Sequence, residues 1–164
     1  MISEKSLATL EYPKVLEAVV RHTTFSAGTD LVRELLPTVD LEEARLWQRE
    51  TAEAFDMLQK EMPYNLAGAR DVREVAMNAV RGVVIDASVL LDIRYTLRRA
   101  RTLKQSMHKL RYEYPLLAEV TEEIEDCRAL QDAIEGSIND NAEVKDSASA
   151  KLAVIRRDLK ISFD

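Results

Sequence analysis

Arg94, Arg98, Arg99, Arg101, Lys104, Lys109 and Arg111 fall within Ile93–Tyr112, a stretch that holds no acidic residue. Arg94, Arg98 and Arg101 are four and then three residues apart, which sets them on one face of a helix. Lys104 follows one turn later. A row of cations like this can neutralise successive phosphates and release the counterions condensed on a nucleic acid. Arg94, Arg98, Arg101 and Lys104 are therefore the candidate nucleic-acid contacts. The chain then reverses sign: between Glu113 and Glu143, Arg128 is the only base among ten acids. That acidic segment could instead fold back beside the basic helix. The cations would then form ion pairs within the fold, each worth little when exposed.

No other residue set suggests a reaction. His22 and His108 lie far apart, and neither has a Glu three residues before it. The Glu-x-x-His pattern of di-iron helical bundles is thus missing. Cys127 is the single cysteine, which excludes an internal disulfide framework and a cysteine-rich zinc site. It reads as a small, half-buried helix residue. There is no Gly-x-x-x-x-Gly-Lys phosphate loop and no Gly-x-Gly-x-x-Gly fingerprint. The expectation is no catalytic residue, no bound cofactor and no metal in this chain.

Such cations need stiff helices to position them, and the composition supplies helix formers. The 164 residues are 46% hydrophobic and 32% charged, with only 4 Gly and 4 Pro. That is too few turn residues for an all-β chain, and Ala, Leu, Glu and Arg favour helix. An all-α multi-helix bundle is expected, packed helix on helix. A net charge of −6 argues against a basic surface over the whole chain, though not against a local patch. The N-terminus lacks the apolar run of a signal peptide. No apolar stretch approaches the roughly 18 residues of a membrane span. A cytoplasmic protein with no membrane partner is expected.

Punctuation divides the helices. A short one is predicted over 3–10, and Pro13 suits the first turn of the next, which runs to about Thr23. Ser26 is placed to cap a third helix, with Leu31, Val32, Leu35 and Leu36 turned inward and Pro37 ending it. Asp40 followed by Glu43 resembles a capping box and opens a long helix to about Glu61. Its apolar stripe would be Leu46, Trp47, Ala54, Phe55 and Leu58, with Trp47 as a core anchor. Pro63, Asn65 and Gly68 mark a loop. Asp71–Arg81 reads as a helix ending at Gly82, and Val83-Val84-Ile85 is too short to make a sheet. Asp86 and Ser88 open the basic helix, which runs to about Tyr112. Tyr114-Pro115 breaks it, and Leu116–Gln131 reads as one acidic amphipathic helix. A short segment through Ile138 leads to a turn at Asn139, Asp140 and Asn141. Ser147 or Ser149 can cap a last helix whose face is Leu152, Ile155, Leu159 and Phe163. That helix has no stop signal, the pattern expected of a piece of a larger protein.

Several blocks resemble one family in the same order. They are Thr9-Leu10-Glu11-Tyr12-Pro13-Lys14-Val15-Leu16, Gly68-Ala69-Arg70-Asp71-Val72-Arg73, Thr96-Leu97-Arg98-Arg99-Ala100-Arg101, and Asp146-Ser147-Ala148-Ser149 with Leu152 and Ile155-Arg156-Arg157. Together they are similar to the N-terminal region of the bacterial MutS-two proteins, MutS paralogues with a C-terminal Smr domain. Arg70 departs from the apolar residue expected there, and Asn141-Ala142 stands where the family often has Gly. The resemblance implies a helical core and lever over 1–148 and the start of a long clamp helix over 149–164. It also implies a homodimeric ATPase using ATP and Mg, and an Smr-type endonuclease, with both active sites beyond residue 164. The family is associated with binding branched or other non-mismatched DNA, with suppressing recombination, and with recognising collided ribosomes. This segment would transmit ATP-driven clamp movement without catalysis of its own. The other reading of the residues is a self-contained helical interaction module, with its last helix packed along the bundle.

Overall fold

The computed structural model describes residues 3–62 and 68–163. Among the described residues the fold is all-α, and Val83–Ile85 forms no strand. The helices are α1 (Glu4–Thr9), α2 (Tyr12–Val20), α3 (Ser26–Glu34), α4 (Leu41–Gln59), α5 (Arg73–Val80), α6 (Ala87–Lys109), α7 (Pro115–Glu122), α8 (Arg128–Ser137) and α9 (Ala150–Phe163). The loop expected around Pro63 and Asn65 lies outside the described residues. Two compact units divide the chain: residues 1–67 with 102–124, and residues 68–101 with 125–164. The basic helix α6 contributes to both.

In the first unit α1 packs on α2, α2 on α3, and α4 on α7. The buried core is Met57, Met107 and Tyr114, with Met62, Leu103, Leu110 and Leu117 packed around it. Asp40 caps α4, accepting from the N–H groups of Glu42 at 2.8 Å and Glu43 at 3.1 Å. The reciprocal half of the expected capping box is relayed. Glu43 takes the hydroxyl of Thr38, and Thr38 accepts the Asp40 N–H at 3.0 Å. Helix α4 ends in a Schellman motif: Met62 N–H reaches Met57 carbonyl, Glu61 N–H reaches Leu58, and Met62 returns its side chain to the core. The same motif ends α5 at Gly82, which takes φ +80°.

Two faces expected to point inward do so only in part. Leu31, Leu35 and Leu36 are exposed, and only Val32 is half-buried. Helix α3 stops at Glu34 and Leu35 is extended, so the helical period does not carry the two later leucines to one face. Ser26 does not cap α3; Phe25 holds the cap position, without a side-chain bond. On α4, Phe55 and Leu58 face solvent, while Met57, absent from the expected stripe, is buried. Trp47 is half-buried, lining a shallow groove with Tyr12, Leu35 and Pro37.

In the second unit α8 and α9 both pack on a 3₁₀ turn at Asp146–Ala148. Leu91, Ile134 and Ile138 are buried. The expected acidic helix over Leu116–Gln131 is in fact two, α7 and α8, with Glu123–Cys127 between them. Cys127 sits at the N-cap of α8 and is exposed, not half-buried. After α8, Ile138 and Val144 form an isolated antiparallel bridge around the turn at Asn139–Ala142. Asn139 Oδ1 accepts the N–H groups of Asn141 at 3.0 Å and Glu143 at 2.9 Å, which fixes the turn. Ala142 adopts φ +61°, the left-handed region that favours glycine. Replacing Ala142 with Gly should therefore raise stability by about 1 kcal/mol, read from a urea melt, because the αL strain of a Cβ is removed. Ser149 caps α9, accepting Leu152 N–H at 3.1 Å. Leu152 is half-buried on α9, whereas residues 153–162 are all exposed.

Candidate nucleic-acid interface

The four candidate cations lie along α6, and the fold treats them differently. Arg94 turns into the second unit, its side chain only 12% exposed, and donates to Asp140 at 2.5 Å. Its guanidinium also lies 5.1 Å from the centre of the Tyr95 ring. The hydrogen bond from Arg94 holds the Asp140 carboxyl below the usual range, and the field of Arg98 adds to this. Arg98 is exposed and Arg101 is half-buried. Of the three residues that share a helix face, Arg94 is thus committed to the Asn139–Ala142 turn.

Lys104 is committed as well. It donates to the carbonyls of Glu122 at 2.7 Å and Ile124 at 2.8 Å, and lies 3.5 Å from the Glu122 carboxylate. These are C-terminal carbonyls left free where α7 stops, so a cation there satisfies orphan acceptors and the helix dipole together. Lys104 therefore caps the point at which the acidic stretch breaks into two helices. One turn on, His108 Nδ1 meets Glu122 Oε1 at 3.0 Å. That bond, with Lys104 nearby, keeps the Glu122 carboxyl below its ordinary value. The acidic segment does supply intramolecular partners for the basic helix, at Glu122 and at Asp140.

Sequence reasoning missed a polar cluster at the start of α7. Tyr114 reads in the sequence only as part of a break, yet among the described residues it is the most buried large side chain. Its hydroxyl donates to Asp56 at 2.9 Å. Lys60 bridges Asp56 and Glu113, at 2.8 Å from each. Hydrogen bonds from Lys60 depress both carboxyls, and Lys60 itself is raised above its ordinary value by these partners. Beside them Glu53 accepts the N–H groups of Leu116 at 3.1 Å and Leu117 at 3.0 Å. This carboxylate from α4 caps α7, which has no capping side chain of its own. The only signal in the sequence was Pro115, which marks a helix start without saying who caps it. Arg70, unexpected as a polar residue, is exposed and pairs with Asp92 at 3.2 Å, while Thr96 bonds its backbone.

The depressed carboxyls give a pH prediction. Asp56, Glu113, Glu122 and Asp140 all have folded pKa values below their unfolded ones. Their stabilisation is fully present above the unfolded values of about 3.9 for Asp and 4.3 for Glu, and is lost as pH falls through the folded values. Thermal melts should be level from neutral pH to about pH 5 and fall progressively below about pH 4.

No protein-family model matches the chain. Curated relatives match it throughout. Endonuclease MutS2 of Shouchella clausii is 35% identical over 161 residues, covering 96% of this chain and 20% of that protein. Endonuclease MutS2 of a Geobacillus species, strain WCH70, is 36% identical over 157 residues, 94% of this chain and 20% of its own length. The chain belongs to the MutS2 family. The Symbiobacterium thermophilum MutS2 is 32% identical over 160 residues, again at 20% of its length. The chain thus spans about one fifth of the length of the MutS2 relatives it matches. Among the described residues no helix is long and apolar enough to cross a membrane, and no group of three or more His, Cys, Asp or Glu could hold a metal ion.

Proposed function

We propose that this chain is the helical core and lever segment of a cytoplasmic, homodimeric, DNA-associated MutS-like ATPase and endonuclease that suppresses recombination. Residues 1–148 would form the core and lever, and 149–164 would begin a clamp helix. The observation that carries this reading is the match along 94–98% of the chain to proteins named as MutS2 endonucleases about five times its length. The role of the segment is to pass ATP-driven movement to the clamp, which calls for stiff packed helices. ATP and Mg would be held elsewhere, since this chain lacks a Gly-x-x-x-x-Gly-Lys loop. The targets are branched or other non-mismatched DNA and, in a second family role, the ribosome. The exposed residues 153–162 of α9 weigh against the self-contained interaction module, which needs its last helix packed along the bundle.

The test is direct. The isolated chain should hydrolyse neither ATP nor DNA, and should bind branched DNA weakly and with strong salt dependence in an anisotropy titration. Hydrolysis, or tight salt-insensitive binding by this chain alone, would contradict the proposal. Of the original four, Arg98 is exposed and Arg101 half-buried on α6. Changing Arg98 and Arg101 to Ala in a protein of full MutS2 length should weaken DNA binding. It should also flatten the salt slope by roughly 0.9 for each phosphate that is no longer neutralised. Arg94→Ala should act on the stability of the second unit instead.

A further inference from the structure

Helix α6 stops at Lys109, and the chain turns there toward α7. The N–H groups of Glu113 at 2.9 Å and Tyr114 at 2.8 Å both donate to the Leu110 carbonyl, which fixes the turn. Tyr114 enters the first core, 1% exposed, while Tyr112, two residues before it, is 86% exposed. The Tyr112 ring is nevertheless held in place. The Arg111 guanidinium lies 4.5 Å from the ring centre and donates to the Tyr112 hydroxyl at 3.2 Å. It also donates to the His108 carbonyl at 2.8 Å, one of the acceptors left free where α6 ends. The cation–π pair therefore stands on an anchored guanidinium. It occupies one face of the ring and leaves the other open.

The charge around this ring is positive. Lys109 and Arg111 are exposed, and among the described residues neither has a carboxylate partner. The nearby acids are engaged elsewhere, Glu113 with Lys60 and Glu122 with Lys104 and His108. The Arg111 fork keeps N–H groups beyond the two in use. An open aromatic face beside uncommitted cations can take a nucleobase by stacking and its phosphates by charge. A base inside a duplex cannot offer its face to a side chain, so the matching ligand is an unpaired one.

We propose that Lys109, Arg111 and Tyr112 form a binding site for an unpaired nucleotide of a nucleic-acid strand. The base stacks on the open face of Tyr112. Arg111 backs the ring from the other side and, with Lys109, meets the phosphates flanking that base. Stacking makes no contact with a base edge, so the site selects single strands over duplexes and is indifferent to sequence. This rests on the reading of a DNA-associated protein and adds to it the form of nucleic acid that this segment takes.

Photo-cross-linking tests the site in a protein of full MutS2 length. The probe is a short single strand carrying 5-iodouracil, a base that cross-links to an aromatic ring stacked on it, and mass spectrometry locates the adduct. The adduct should lie on Tyr112, and unlabelled single strand should compete for it far better than blunt duplex. Running the probe as a deoxyribose and as a ribose strand shows whether the site serves DNA or RNA. Tyr112→Ala should weaken single-strand binding about five-fold or more and leave duplex affinity unchanged. Tyr112→Phe, which keeps the stacking face, should bind like the wild type. Lys109→Ala should flatten the single-strand salt slope by roughly 0.7 for the phosphate it no longer neutralises. An adduct that maps elsewhere, equal competition by duplex, or unchanged single-strand affinity in Tyr112→Ala overturns the proposal. Those results would leave duplex binding, and with it the DNA-associated reading, standing. A wild-type protein that binds no nucleic acid would sink both.

Discussion

Replacing Met107 with Ala is expected to lower the unfolding free energy by about 2–5 kcal/mol. Met107 is 2% exposed and joins Met57 at the centre of the first unit. Truncation removes the transfer free energy of the thioether chain and leaves a void that α4, α6 and α7 can close only in part. Met57 and Met62 are flexible neighbours, so partial filling should hold the loss toward the lower half of that range. Even so, against a total stability of about 5–15 kcal/mol the change is large. The urea midpoint should fall with little change in slope. Met107→Leu, nearly equal in volume, should cost less than about 1.5 kcal/mol. A loss in Met107→Leu as large as that in Met107→Ala would remove cavity formation as the cause.

The second large effect is expected at Ile138→Ala, again about 2–5 kcal/mol. Ile138 is 3% exposed, beside Ile134 at 5%. It holds two things at once. Its N–H donates to Ile134 at 2.9 Å, closing α8, and its bridge to Val144 begins the turn that carries Asp140. Truncation should therefore loosen the partner of Arg94 as well as the core. Met107 and Ile138 belong to different units, so the double variant should lose the sum of the two costs within about 0.5 kcal/mol. Native-state hydrogen exchange separates them further. Met107→Ala should speed exchange in α4 and α7, and Ile138→Ala in α8. Equal acceleration in both units from either variant would mean that they open together.

Much of this fold could be read from local signals because its helix ends are chemically marked. Asp40, Pro13, Gly82, Pro115 and Ser149 each do at a helix terminus what the residue type suggests. Expectation and structure part where the decisive partner is remote in sequence. Helical periodicity continues through Glu123–Cys127 and so predicts one acidic helix, but Lys104, on another helix, takes the carbonyls that end α7. Glu53 caps α7 across 63 residues of chain. The basic stretch is visible from its charge, but the division within it is not. Whether Arg94 faces phosphate or Asp140 depends on where the Asn139–Ala142 turn lies, and helical spacing carries no information on that.

The interleaving of the two units bears on how the protein is made. Neither unit is a continuous stretch of chain, because residues 1–67 wait for 102–124 and residues 68–101 wait for 125–164. Asp56 and Tyr114, which meet in the first core, are 58 residues apart. At about 5–20 residues per second, α4 leaves the ribosome roughly 3–12 s before its partner exists. During that interval Met57 is an uncovered apolar side chain on a nascent helix. Synthesis speed across residues 60–114, more than the sequence of the core itself, would then set how long this chain is open to chaperones or to misassembly with a neighbouring nascent copy.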